Sequence, residues 1–338
     1  MKIVLTLGTS AGGVGRHVRT LADGFTARGH EVVIAGPADT FARFGFTQTF
    51  VEIPVSDRPH PVNDARTVRV LRGIEADVVH AHGLRAGALA ALARPRRLVV
   101  TLHNAVTARG AVGAVYAVLE RIVARRADVV LVVSPDLGDR MVTLGAGNVA
   151  PAVVPAPPLA DLPATTEFAG KRVLLTVARL AQQKGLETLL DAAAGPYPRD
   201  VVFAVAGEGP LRGALEERIT RENLPVTLLG PRTDVAALLK AATALVAPSR
   251  WEGQPLSVQE ALRAGVPVVA FAVGGIPPMI GAAGLLVPPG DAGAMRSALL
   301  RLLADESLLS DLADAALERG RALPGEDDAV EAALKNYG

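Results

Sequence analysis

The chain reads as an α/β protein made of two doubly wound parallel-sheet domains. Three observations predict this. Short β-branched runs alternate with longer helical patterns along the whole length, as parallel strands covered by helices require. A proline-rich stretch without periodicity, 150–166, carries prolines at 151, 155, 157, 158 and 163 and divides the chain near its middle as an interdomain linker. The 338 residues, half of them apolar and a fifth charged, suffice for two buried cores.

In the first half, strands are expected at Lys2–Leu7, Glu31–Ala35, Val78–Ala81, Leu98–Leu102 and Asp128–Val133, each an apolar run of strand length. The first leads into the glycine-rich turn GTSAGGVGRHV, and a helix then runs to about Arg28. Beyond the proline-rich stretch, strands are expected at Arg172–Ala178, Val201–Ala206, Val226–Leu229, Ala244–Ala247 and Val266–Phe271. The segment Pro324–Gly338 reads as an acidic helix after a Leu-Pro-Gly break. Ligands of such sheets collect at the carboxyl ends of the strands, so chemistry is expected in a cleft between the two halves.

Composition excludes several functions. There is no cysteine, so neither disulfides nor thiolate chemistry are available. Residues 1–165 carry 18 basic and 13 acidic groups and residues 166–338 carry 17 and 21, which gives +5 and −4 and no footprint for nucleic acid. The opening run MKIVLTLGTSAGG is too short for a signal peptide, and no stretch of about eighteen apolar residues occurs. A soluble or peripheral protein of the cytoplasm is expected. Five lysines stand beside thirty arginines, so each lysine is the more informative cation.

The segment from Arg250 to Ile276, RWEGQPLSVQEALRAGVPVVAFAVGGI, carries the most chemistry. Glu252 lies in a Gly/Pro loop, and Glu260 lies in the opening turns of a short helix that Gly265 should close. A strand and the Gly274-Gly275 turn follow. A carboxylate accepts two hydrogen bonds and suits a vicinal diol, while a helix N-terminus suits phosphate. Together they point to a nucleotide-sugar pocket. Glu260 equally fits a solvated residue favoured by the helix dipole and paired with Arg263.

Two further sites bear cations or glycines. Arg179 directly follows the strand Arg172–Ala178, with Lys184-Gly185 five residues on, a pair suited to a diphosphate or, on the plainer reading, to solvent. The glycine turn places Gly13-x-Gly15 before Arg16, His17 and Val18, which breaks the dinucleotide pattern GxGxxG. The second strand ends in Ala35-Gly36-Pro37 without the acid that would hold a cofactor ribose, which argues against a nicotinamide cofactor.

In order along the chain, GGVGRHVRTLADGFTARGHEVVI, DVVHAHG, VVTLHN, VLVVSPDL, VLLTVARLAQQKGLETLLDA, FAVAGEGPLRGALE, VTLLGPRTDVAALLKAATALVAPS, the E-x7-E block, GVPVVAFAVGGIP and GLLVPPGD resemble the retaining GT-B glycosyltransferases of family 4. The resemblance implies a GT-B fold, with two Rossmann-like domains facing across a cleft. It implies an acceptor-side domain over 1–160, a nucleotide-sugar-binding domain over 161–320 and a C-terminal helix over 321–338 that can cross back to the first domain. It further implies metal-independent transfer of a sugar from a nucleotide-diphosphate sugar, with no separate cofactor.

On that resemblance, Arg179 and Lys184 would grip the donor diphosphate, Glu260 the ribose hydroxyls and Glu252 the transferred sugar. The amides around Gly253, Gln254 and Leu256, with the loop Gly12-Gly13, would close on phosphate and sugar, and His103 would sit near donor sugar and acceptor. His80 and His82 alternate on one strand and would share a face, at least one of them structural. The chain departs from the family where Pro255 lacks an N–H, where IPPMIGAAG lacks an acid and Asp-Gly, and where VVPAPP replaces Asn-Gly.

The acceptor, whether lipid, saccharide or small metabolite, is not named by these motifs. The stretch 110–126, GAVGAVYAVLERIVARR, sets Val112, Val115, Tyr116, Leu119, Ile122 and Val123 beside Arg121, Arg125 and Arg126. It fits a core-packing helix, with a peripheral contact to the inner face of an anionic membrane as the alternative. A nucleotide-sugar epimerase or phosphorylase, or a silent sugar-nucleotide binder, are the rival functions.

Overall fold

The computed structural model describes residues 1–10, 12–56, 59–106 and 110–338, so Ala11 of the glycine turn lies outside the described residues. The chain divides into two units, Met1–Pro155 with Pro324–Gly338, and Ala156–Leu323.

In the first unit, β1 (Lys2–Leu7), β2 (Glu31–Gly36), β3 (Thr49–Glu52), β4 (Val78–His82), β5 (Leu98–Leu102), β6 (Val129–Val132) and β7 (Val149–Pro151) form one parallel sheet in the order β3-β2-β1-β4-β5-β6-β7. The central strands are covered on both faces, which is why they are continuous runs of Val, Ile and Leu. The helix Gly13–Ala27 places Val18, Leu21, Ala22 and Phe25 on one face at helical spacing, and all four are buried. Full burial of Phe25 alone contributes on the order of 2 kcal/mol.

The C-terminal helix Glu326–Lys335 belongs to this unit. Its first turn holds Glu326, Asp327 and Asp328, a favourable placement at the positive end of the helix dipole. It packs on the helix Gly13–Ala27 where Gly24 has no side chain, since a Cβ there would overlap Val330. Beyond its end, buried Tyr337 reaches the strand β4.

The helix Gly110–Arg126 forms as expected, but its expected apolar face is divided. Val123 and Ala124 are buried near its end, whereas Val112, Val115 and Val118 are exposed. Among the described residues no helix is long and apolar enough to cross a membrane.

In the second unit, β8 (Arg172–Val177), β9 (Val201–Ala206), β10 (Val226–Gly230), β11 (Ala242–Ala247), β12 (Val268–Phe271) and β13 (Gly284–Val287) form a parallel sheet in the order β10-β9-β8-β11-β12-β13. Its core is one cluster that includes Leu175, Phe203, Leu245 and Phe271.

Several strand ends differ from expectation by one or two residues, among them β11, which starts at Ala242, and β12. β12 starts at Val268 because the Val266 N–H donates to Ala261 O at 2.9 Å and so closes the preceding helix. The proline-rich stretch opens inside β7, where Val149–Pro151 pairs with β6. β7 is an edge strand, and a proline without an N–H is tolerated there.

Candidate functional site

In each sheet the strand order reverses once, between β1 and β4 in the first unit and between β8 and β11 in the second. Loops leaving neighbouring strands at such a point run to opposite sides and leave a crevice. Arg179, Lys184, Glu252, Gly253 and Gln254 follow β8 and β11, and Gly12 follows β1, whereas His103 follows β5 and Leu256 and Glu260 lie on the helix after β11.

In the second unit the loop after β8 is pinned by backbone bonds. Leu180 N–H donates to Glu208 O at 2.9 Å, and Leu211 N–H donates to Leu180 O at 3.0 Å. Arg179 is exposed and makes no ion pair among the described residues. The chain then forms the short turn Gln182–Lys184 and passes through Gly185 at φ +62°. A side chain there would be strained and would overlap the Pro248 carbonyl oxygen, so glycine lets the loops after β8 and β11 touch. The Arg250 N–H donates to Gln183 O at 2.8 Å, and the Gln183 side chain donates to Trp251 O at 3.0 Å.

This contact brings together residues 68 apart in sequence. Lys184 Nζ lies 2.5 Å from Glu252 Oε1 as a charge-assisted hydrogen bond, and Ser249 Oγ donates to the same oxygen at 2.6 Å. Glu252 is buried and Lys184 is half-buried. The backbone of Glu252 is held as firmly, because Gly275 N–H donates to its carbonyl at 2.9 Å. Gly274, at φ +51°, permits this approach, since a Cβ there would overlap that carbonyl oxygen.

Gly253 is buried beside it, Gln254 follows, and Pro255 caps the helix Leu256–Arg263. Leu256 opens this helix, and Glu260 lies half-buried one turn on. The Arg263 guanidinium donates to the carbonyls of Ala156 and Pro157. Gln259, 2% exposed, accepts from the Ala156 N–H at 2.9 Å. Ser249, Gln259 and Arg263 were not expected as parts of the site. For Ser249 the signal was a small polar residue three positions before a loop carboxylate, at the end of an apolar strand.

In the first unit a cavity of about 470 Å³ is lined by Thr9, Ser10, His82, Arg85, His103 and Tyr116, among others. Gly12 is the exposed residue before the helix that Gly13 opens, and of that helix Val14 lines the cavity. His103 Nε2 lies 3.2 Å from His82 Nδ1, and the rings of His80 and His82 share one face with centroids 4.2 Å apart. His80 is structural. Its Nδ1 is 2.6 Å from the Tyr337 hydroxyl and its Nε2 is 2.7 Å from Thr101 Oγ1. His17 joins the group edge-on to His82 and His103, a member the sequence did not single out.

Burial strips these rings of water and disfavours their charged form. It holds His80 down at about 3 and His103 at about 4, with His17 and His82 also well below the ordinary value. Near neutral pH His103 is therefore a neutral imidazole, able to donate one hydrogen bond and accept another. Among the described residues no group of three His, Cys, Asp or Glu side chains is placed to hold a metal ion.

Comparison with known proteins places this geometry in a family. Residues 171–305 match the family described as glycosyl transferases group 1, and residues 12–157 match the glycosyl transferase 4-like domain. The chain belongs to the group 1 glycosyltransferases. Alpha-D-kanosaminyltransferase of Streptomyces kanamyceticus is 32% identical over 150 residues, 42% of this chain and 39% of that protein. A 2-deoxystreptamine N-acetyl-D-glucosaminyltransferase of Streptomyces fradiae is 33% identical over 179 residues, 50% of this chain and 42% of that protein. The matches thus span about two-fifths of the length of these curated relatives.

Solved GT-B structures share the whole fold. Sucrose-phosphate synthase from Thermosynechococcus elongatus superposes with a TM-score of 0.81 at 23% identity, covering 100% of this chain and 98% of that one. Anabaena HepE in complex with UDP-glucose gives 0.81 at 20% identity, covering 99% and 98%.

Proposed function

We propose that this protein transfers a sugar from a nucleoside-diphosphate sugar to a hydroxyl-bearing acceptor, with retention of anomeric configuration and without a metal. The observation that carries this reading is the meeting of Lys184 and Glu252 at the carboxyl ends of β8 and β11, where the strand order reverses. The relatives named above are sugar transferases, and the HepE complex holds UDP-glucose, which supports the donor class.

In this reading Arg179 and Lys184 hold the diphosphate, helped by the amides around Gly253, Gln254 and Leu256. Pro255 contributes none, having no N–H. Glu260 accepts from the ribose diol and Glu252 from the transferred sugar. In the first unit, the Gly12-Gly13 turn and His103 serve the sugar and the acceptor hydroxyl. The bond from the anomeric carbon to the diphosphate breaks and the bond to the acceptor oxygen forms on the same face. The acceptor proton passes to the departing diphosphate. Arg179 and Lys184 stabilise the charge that develops there, each well-placed donor contributing on the order of 3 kcal/mol.

A thermal-shift screen of UDP-, GDP- and ADP-sugars identifies the donor, and proton NMR of the product then reads the anomer. A product of inverted configuration, or turnover without any acceptor, would count against the reading. Because two side-chain cations supply the positive charge, activity is expected to survive EDTA. Loss on chelation with recovery in magnesium or manganese would refute that point.

A further inference from the structure

Lys184 and Ser249 converge on one oxygen of Glu252. Both donors act on Oε1, at 2.5 and 2.6 Å, and neither acts on Oε2. The two donors are unlike. Lys184 is a half-buried cation on a long flexible stem, and in the proposed reaction its charge is needed by the diphosphate. Ser249 is 4% exposed, neutral, and fixed by the end of β11 on one side and by the Gly185 contact at Pro248 on the other. A diphosphate carries more negative charge than one carboxylate and draws the ammonium toward itself. Ser249 cannot follow.

We propose that Ser249 is the positioning residue that holds Glu252 Oε1 when Lys184 turns to the donor diphosphate, so that Oε2 stays aimed at a hydroxyl of the transferred sugar. The inference rests on the reading of Glu252 as the group that accepts hydrogen bonds from the transferred sugar. It adds a separation of roles. The carboxylate is built to work with one permanent partner, the serine, and one exchangeable partner, the lysine. Occupancy of the diphosphate subsite thereby leaves the serine as the remaining partner that keeps the carboxylate in place.

The test is a double-mutant cycle of Ser249→Ala and Glu252→Ala on the full chain. The probe is whichever of UDP-glucose, GDP-mannose or ADP-glucose stabilises the parent most. Release of the nucleoside diphosphate is followed, together with inhibition by that diphosphate alone. Ser249→Ala is expected to lower kcat/KM for the donor by about tenfold, the scale of one hydrogen bond to a charged group. Inhibition by the sugar-free diphosphate should stay within about twofold of the parent, because Ser249 touches only the sugar-reading carboxylate. In the Glu252→Ala background, removing Ser249 should cost nothing further.

Equal weakening of the free diphosphate, an unchanged kcat/KM, or a full additional loss in the Glu252→Ala background would each overturn the role of Ser249. A Glu252→Ala variant as active as the parent would instead overturn the reading of Glu252, and this inference with it. The single variant removes one oxygen from a packed site, so its melting temperature serves as the check that the loop still folds.

Discussion

Replacing Lys184 with alanine is expected to lower kcat by about a hundredfold or more, as does the loss of one preorganised donor to a developing anion. The diphosphate gains charge as the sugar leaves, so an ammonium beside it is more valuable in the transition state than in the ground state. Such an interaction lowers kcat and kcat/KM together. The loop that carries the ammonium is preorganised, since the Gln183 contacts to Arg250 and Trp251 fix it. Lys184→Arg should recover part of the rate, because a planar fork cannot place its charge where the ammonium stood. A near-parent kcat for Lys184→Ala, with donor and acceptor in hand, would mean that the mechanism is wrong.

The second large effect is a loss of stability in acid, centred on the first unit. His17, His80 and His82 are buried and their charged forms are disfavoured, chiefly by desolvation. Folding lowers these three values below the ordinary 6.5, so the unfolded chain binds protons that the folded chain refuses. Their contribution is complete above pH 6.5 and is lost as pH falls from there toward the folded values, about 3 for His80. At pH 5 His80 alone costs about 2 kcal/mol, and His17 and His82 act in the same direction. Urea unfolding followed by circular dichroism between pH 7 and 4.5 should show net proton uptake on unfolding near pH 5, with about one proton each from His80 and His103 and a further contribution from His17 and His82. Stability that stays flat over that range would show that these rings are solvated or charged in the folded state.

Much of the fold was legible because buried parallel strands write themselves as apolar runs. β1, β5 and β9 were placed to the residue. The three strands that were missed, β3, β7 and β13, all lie at sheet edges. Each has a single neighbour and partly exposed residues, so no unbroken apolar run marks it.

The site was legible as residue types on loops after strands, but its pairing was not. Lys184 and Glu252 meet because β8 and β11 are neighbours although two strands separate them in sequence. Local pattern carries no information about that order. For the same reason the bonds from Arg263 to the carbonyls of Ala156 and Pro157, more than a hundred residues away, could not be read from local pattern. The histidine cluster was half visible. His80 and His82 announced a common face by alternation, while His17 comes from a separate helix and His103 from a neighbouring strand end.

The central claim is that the second unit binds a nucleoside diphosphate, with Glu260 accepting from the ribose diol. Isothermal titration of UDP, GDP and ADP into the parent and into Glu260→Ala tests it most directly. One of the three is expected to bind the parent at a single site. Loss of a charged acceptor for the diol should weaken that binding by roughly 1.5–3 kcal/mol, on the order of ten- to a hundredfold. Binding of equal strength to parent and variant, or no binding of any of the three to the parent, would contradict the account.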